Sequence, residues 1–205
     1  MAKSKTLPPS KWRYLSWSQL WLWENKPADF IRQYIYGEWG EPNQYMLLGK
    51  KVAECLENQD AKGDPMLEHL LMFMQGFESH EHKISCNFEG VPLYMKLDGF
   101  TTTGLILDEV KTGLKYTQKT ADTNDQLTFY AIGIWKKYGK LPETIRLHWA
   151  QTHWNENNEL ELTGKIETFE TTRTMTDIIN FTPRILKAWK DINEAAAKEY
   201  KTAIR

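Results

Sequence analysis

Apolar positions recur with two different periods along this chain, and the changes of period divide it into three parts. The first part, about 14–75, has helical spacing. One helix is expected from a cap at Ser16 or Ser18 through Leu20, Leu22 and Trp23 towards Lys26-Pro27, and a second over 28–36, stopped by the Gly37 to Pro42 segment. A third covers 49–58, with Val52, Leu56 and Cys55 inward, and 64–75 reads as mostly helical. In the middle part, about 83–170, the period is two. Strands are expected at 83–89, 91–98, 105–111, 145–152 and 159–169, the first two joined by a tight Glu89-Gly90 turn. The clearest long helix, 126–138, interrupts them with Leu127, Tyr130, Ala131 and Ile134 on one face. The last part, about 174–205, is a helical tail, one amphipathic helix broken near Pro183. Helices on either side of a run of strands predict an α/β fold, a mixed central β-sheet flanked by helices, in one domain. No internal repeat, low-complexity tract or linker interrupts it.

The hairpin of 91–98 and 105–111 carries the chemistry. Alternation puts Leu93, Met95 and Leu97 on one face, and Tyr94, Lys96 and Asp98 on the other. On the second strand Glu109 and Lys111 share a face. A turn centred near Thr102 and Thr103 sets Asp98 across from Leu107, one alternate position from Glu109, so the two acids become near neighbours. Asp108 is the irregularity: it falls with Ile106 and Val110 on the face to be buried, and needs a partner or a distorted strand there. A register that uses Asp108 as the ligand instead loses the two-residue spacing to Lys111.

Two carboxylates held close raise each other's pKa unless a cation sits between them, which invites a divalent metal. Mg²⁺ is hard and keeps several of its waters, so it suits a site of two or three protein oxygens, and Mn²⁺ is expected to substitute. Asp98 and Glu109 are the expected ligands, with the Val110 backbone carbonyl as a third. Lys111 is placed to orient or help deprotonate a water, or to offset charge on a phosphate. The plain alternative is a solvated hairpin with ordinary surface charges, because acid-x-Lys triplets arise by chance.

The sequence around the hairpin resembles the PD-(D/E)XK nuclease superfamily, in its RecB-like and λ-exonuclease-like branch. Leu15-Ser16-Trp17-Ser18-Gln19-Leu20 with Lys26-Pro27 and Phe30 to Tyr34 is similar to the opening helix, and Leu48-Gly49-Lys50-Lys51-Val52-Ala53-Glu54 to the following one. Asp98 stands at the hairpin aspartate, Glu109-Val110-Lys111-Thr112-Gly113 at the "D-x-K-T-G" segment, and Gln126-Leu127-Thr128-Phe129-Tyr130 at the "Q-x-x-x-Y" helix. The matches run in order from about 14 to about 152. The resemblance implies a restriction-endonuclease-like core and a Mg²⁺-dependent deoxyribonuclease of exonuclease type. Its catalytic residues are Asp98, Glu109 and Lys111, and Gln126 and Tyr130 stand near the substrate. Relatives act in recombination, repair, defence and phage replication. The hairpin chemistry taken alone equally permits an endonuclease, and one or two metals.

Two departures stand out. Many relatives carry a metal-binding histidine where this chain has Ala53, which ligates nothing; Glu54, or Glu57 one turn on, is the substitute on offer. One residue turns a helical side chain by about 100°, so Glu54 serves only if the helix is rotated to match. Cys55 and Cys86 are the only cysteines, which excludes a four-cysteine iron–sulfur cluster.

Composition fits a globular domain, with 41% hydrophobic and 26% charged residues. Met1 to Lys5 leads into no signal-like apolar run, no segment is apolar enough to cross a bilayer, and the cysteines form no disulfide pattern, so a cytoplasmic protein with no membrane partner is expected. A formal net charge of −1 gives no overall attraction to DNA, so contacts with a duplex end or single strand must be local. Lys115 and Lys119 are the better candidates, since they leave the proposed site; Lys11 with Arg13, and Lys136, Lys137 and Lys140, are the others. Trp12, between Lys11 and Arg13, is the tryptophan placed to stack on a base, whereas Trp17 and Trp21 have core spacing. Tyr130 reads equally as a core aromatic and a site residue. His80 and His82 suit a metal or an exposed charged loop. A homo-oligomer would help so small a nuclease hold a DNA end. The rival reading is a nucleic-acid-binding or assembly module on a nuclease-like fold without catalysis.

Overall fold

A computed structural model describes residues 11–74, 78–113 and 115–204; Met1 to Lys5, Gln75 and Arg205 lie outside them. The helix starts are fixed by short polar side chains. Ser16 opens α1 (Trp17–Asn25) with a reciprocal capping box to Gln19. Proline starts α2 (Pro27–Phe30), which continues as a π-helix over Ile31–Ile35. Asn43 caps α3 (Gln44–Asn58) by accepting from the Met46 N–H, so this helix begins five residues before the expected 49. Asp64 caps α4 (Pro65–Phe73) through the Met66 and Leu67 N–H groups.

Among the described residues five strands form where they are expected, with ends shifted by up to four residues: β1 (Ser79–Phe88), β2 (Val91–Thr101), β3 (Ile106–Gly113), β4 (Thr144–Trp154) and β5 (Leu160–Thr171). They form one mixed sheet in chain order, antiparallel except that β3 and β4 run parallel. A parallel pair needs a crossover, supplied by the unexpected short α5 (Gln118–Asp122) and by α6 (Asp125–Tyr138). The chain closes with α7 (Met175–Ala203), which runs unbroken through Pro183. The carbonyl that loses its bond to Pro183 belongs to Ile179, an exposed residue, while Ile178, Phe181 and Ile185 are buried around it and anchor the helix on the core.

Two apolar layers sandwich the sheet. Leu97, Phe100 and Leu107 pack with α1, α6 and α7 residues in the larger one, and Val110, Ala150 and Leu162 with α3 and α4 in the smaller. Trp189 packs against the first layer, so α7 serves as a cover for the sheet. Among the described residues no helix is long and apolar enough to cross a membrane.

Candidate active site

The β2–β3 ladder is short. Only Gly99–Asp108, Phe100–Leu107 and Thr101–Ile106 pair, and continuing that register by one step sets Asp98 opposite Glu109. The expected partner, Leu107, therefore belongs to Phe100, because the turn occupies Thr102 to Leu105 and is centred later than Thr102 and Thr103. The simple alternation also slips: Leu97 and Phe100, three apart, are both fully buried in the same layer. Across from this slip Glu81 holds a φ of 52°, a left-handed conformation.

Beyond Gly99 the two strands part. Asp98 Oδ2 accepts the Val110 N–H at 2.8 Å. On the other side of the gap, residue Leu15 makes a lone bridge with Leu93, donating its N–H to the Pro92 carbonyl and accepting from Tyr94. The opening so made is a cleft of about 280 Å³, lined by Asp98, Glu109, Val110, Lys111 and Thr112 of the sheet, by Gly49, Val52, Ala53 and Leu56 of α3, and by Gln126 and Tyr130 of α6.

The three central side chains share too few counter-charges. Lys111 Nζ donates to Glu109 Oε1 at 2.6 Å, and Gln126 Nε2 donates to the same oxygen at 2.6 Å and lies 2.8 Å from the Tyr130 hydroxyl. Glu109 is 2% exposed, and its second oxygen, Oε2, is buried with no hydrogen-bond partner. Burial, and then the neighbouring Asp98 charge, push the Glu109 carboxyl up to about 8 against the pull of Lys111 and Gln126. Burial likewise raises Asp98. Burial works against the Lys111 ammonium, but the Glu109 and Asp98 carboxylates outweigh it and hold that amine above its ordinary value. Tyr130 is raised by burial and by the same two acids.

Asp108 points the other way and has the partner its burial demands. It accepts from Arg146 Nε at 2.6 Å and Arg146 Nη2 at 3.0 Å, and lies 2.8 Å from His148 Nε2. The register that makes Asp108 a cleft ligand is thereby excluded. His148, without recognisable ligand spacing in the sequence, is part of this buried network and also touches Thr168.

The α3 helix presents Gly49, Ala53 and Leu56 to the cleft, so Glu54 is rotated away: its carboxylate faces Lys50 at 3.6 Å and Lys62 at 4.0 Å. Glu57 pairs with Lys96 and Lys83. Neither acid is brought to Asp98 and Glu109, and among the described residues no group of three or more His, Cys, Asp or Glu side chains is arranged to hold a metal. Lys115 and Lys119 are exposed and do not line the cleft, and Lys136, Lys137 and Lys140 lie at the far end of α6 and beyond it. Trp12, partly buried, packs tilted on Phe30 and edge-on to Tyr34 and donates Nε1–H to Gln19, so it is tied to the core instead of being a free stacking platform. His82 stacks on Phe100, and its Nε2 lies 3.1 Å from the Tyr138 hydroxyl.

Sequence reasoning missed Arg173. Its buried guanidinium donates to Thr128 Oγ1 and to the carbonyls of Ala121, Asn124 and Thr172, and so ties the start of α6, where Gln126 sits, to the end of β5. A lone arginine between a strand and a helix cap carries no motif that announces this.

No family model matches the chain, and no curated protein does. Solved structures do. An alkaline exonuclease from Laribacter hongkongensis superposes with a TM-score of 0.54 at 14% identity, over 93% of each chain. Its complex with dAMP gives 0.52 at 14% identity, again over 93% of each. A candidate exonuclease from Eubacterium rectale gives 0.52 at 13% identity, over 87% of this chain and 82% of that one. The chain therefore has the α/β fold of these exonuclease structures: a mixed five-stranded sheet flanked by helices.

Proposed function

We propose that this protein is a Mg²⁺-dependent deoxyribonuclease, an exonuclease that hydrolyses phosphodiester bonds with an activated water. The observation that carries the reading is buried Glu109 beside half-buried Asp98, a pair served by one ammonium and left with an orphaned carboxylate oxygen at Glu109. The donor set fits a hard divalent cation: two carboxylates and the Val110 carbonyl beside them offer only oxygen. Such an ion supplies positive charge for a phosphate oxygen and lowers the pKa of water.

The protein's own groups have separate tasks. Asp98 and Glu109, at the floor of the cleft, would hold the cation, whose charge would favour their ionised forms. Lys111, kept protonated by both acids, donates towards the charge that grows on the phosphate. Gln126 fixes the Glu109 carboxylate from the α6 side, and Tyr130 steadies Gln126. The fold it shares with exonuclease structures, one of them bound to dAMP, supports a DNA substrate and end-directed cutting.

A second reading, a nucleic-acid-binding module without catalysis, is favoured by Ala53 in the cleft wall, by the two-carboxylate ligand set and by the net charge of −1. Incubation with linear and circular DNA in Mg²⁺, in Mn²⁺ and in chelator separates the two. The nuclease reading expects metal-dependent loss of linear DNA alone, and Lys111→Ala is expected to bind but not cut. Wild-type protein that cuts neither form with either metal removes the enzyme; a Lys111→Ala variant that cuts normally removes the role of that amine.

A further inference from the structure

Gln126 reaches Glu109 from the first turn of α6, the part of a helix that frays most readily because its N–H groups find no partners within the helix. Further along, the helix is fixed on the sheet: Gly133 lies so close to β2 that a Cβ added there would overlap Met95 Sδ. Its start is held less well by the backbone itself. The Thr128 N–H meets the Asn124 carbonyl only at 3.4 Å, and the Asn124 N–H meets the Ala121 carbonyl at 3.3 Å. We infer that Arg173 is a positioning residue of the candidate active site: it lies outside the cleft and sets the first turn of α6 so that the Gln126 amide meets Glu109. The inference rests on the nuclease reading for the importance of Glu109.

The guanidinium strengthens the two weak points of that corner and ties them to the sheet. Nη2 donates to the Ala121 and Asn124 carbonyls at 2.9 Å each, and Nε to Thr128 Oγ1 at 2.8 Å. Nη1 donates to Thr171 Oγ1 at 3.1 Å and to the Thr172 carbonyl at 2.8 Å. Every N–H of the planar fork is thereby engaged. Its acceptors on α6 straddle Gln126, since Asn124 precedes it and Thr128 follows it. The base of the fork is firm, because Thr171 ends β5 and Thr174 opens α7 with a capping box.

The placement is a costly one for stability alone. Arg173 is 6% exposed, and among the described residues no carboxylate lies within ion-pair distance of it; burial pulls its pKa down, and Asp177, Asp122 and Asp125 oppose this only from further off. An aliphatic side chain would fill the space without that desolvation, but it cannot fix three segments in one plane. The other tie to this turn is weaker. Arg184 Nη1 donates to Asp125 Oδ2 at 2.7 Å, with both side chains open to solvent.

The test reads Gln126 directly. In the nitrogen–proton correlation spectrum of the metal-free full chain, its side-chain amide is identified by its loss in Gln126→Ala. Arg173→Lys, which keeps the charge and loses the fork, is expected to move that resonance towards the position of free glutamine amides, while Arg184→Gln leaves it in place. In cleavage of linear DNA with Mn²⁺, Arg173→Lys is expected to lower kcat roughly tenfold with KM nearly unchanged, and Gln126→Ala to do the same. The double variant is expected to be no slower than Gln126→Ala alone, because both substitutions break one path. Thr128→Val removes only the Nε acceptor; it is expected to shift the same resonance by less, and it decides the question if Arg173→Lys does not fold. An unmoved Gln126 resonance, an equal effect of Arg184→Gln, or losses that multiply in the double variant overturn the assignment. A wild type that cuts no DNA overturns the nuclease reading alone, and the resonance still decides whether Arg173 places Gln126.

Discussion

Replacing Glu109 by glutamine is expected to stabilise the metal-free protein, by an amount that grows with pH. The side chain is 2% exposed, one of its oxygens has no partner, and its pKa is pushed from 4.5 up to about 8. An acid whose folded pKa lies above its unfolded one binds more protons in the native state between those two values, so stability is lost as pH rises through that window. A tenfold change in an acid's ionisation constant is worth about 1.36 kcal/mol, so the ionised carboxylate costs the metal-free fold about 3–5 kcal/mol above about pH 8 and almost nothing below about pH 4.5. Glutamine keeps the shape and an acceptor for Lys111, but carries no charge. Urea unfolding in chelator at about pH 5 and about pH 8.5 is therefore expected to give nearly equal stabilities at the lower pH, and a variant several kcal/mol more stable at the higher. In thermal melts that gap is on the order of 10 °C for a chain of this size. Adding Mn²⁺ is expected to raise the wild-type melting temperature and to leave that of the variant nearly unmoved, because an ion that binds only the native state stabilises it. Parallel pH profiles for the two proteins would overturn this account, since they would mean that Glu109 bears no uncompensated charge.

Two further outcomes test the surroundings of the site. Asp108→Ala leaves Arg146 and His148 without their shared, fully buried partner, and is expected to destabilise by about 3–5 kcal/mol in urea unfolding; a loss below about 1 kcal/mol would show that the network carries little. Ala53→His adds an imidazole to the cleft wall opposite Asp98 and Glu109, and is expected to tighten Mn²⁺ binding by isothermal titration; unchanged affinity would show that Ala53 does not face the ion.

Much of the fold was legible because its signals are local. Ser16, Asp64 and Asn124 cap helices that follow them directly, and the two-residue period of 91–97 survives intact in β2. Pro183 misled because a helix tolerates proline when its neighbours are buried, and burial is not written at the proline itself. The start of α3 was misplaced by five residues for a similar reason: Pro42-Asn43 reads as the end of a loop and as the cap of a helix with equal ease.

The candidate chemistry is written in the order of residues alone: two acids and a lysine on a hairpin, an amide and a phenol four residues apart on a helix, and an alanine in place of a histidine. Their types and spacings follow from covalent order and from the periods of strand and helix. Which of them meet is settled by the packed fold. The parting of β2 from β3 sets Asp98 beside Glu109, and the rotation of α3 turns Glu54 out to Lys50 and Lys62. A buried partner draws Asp108 to the opposite face. Each of these turns on long-range packing and on the need to satisfy buried charge, neither of which is a property of any short stretch of chain.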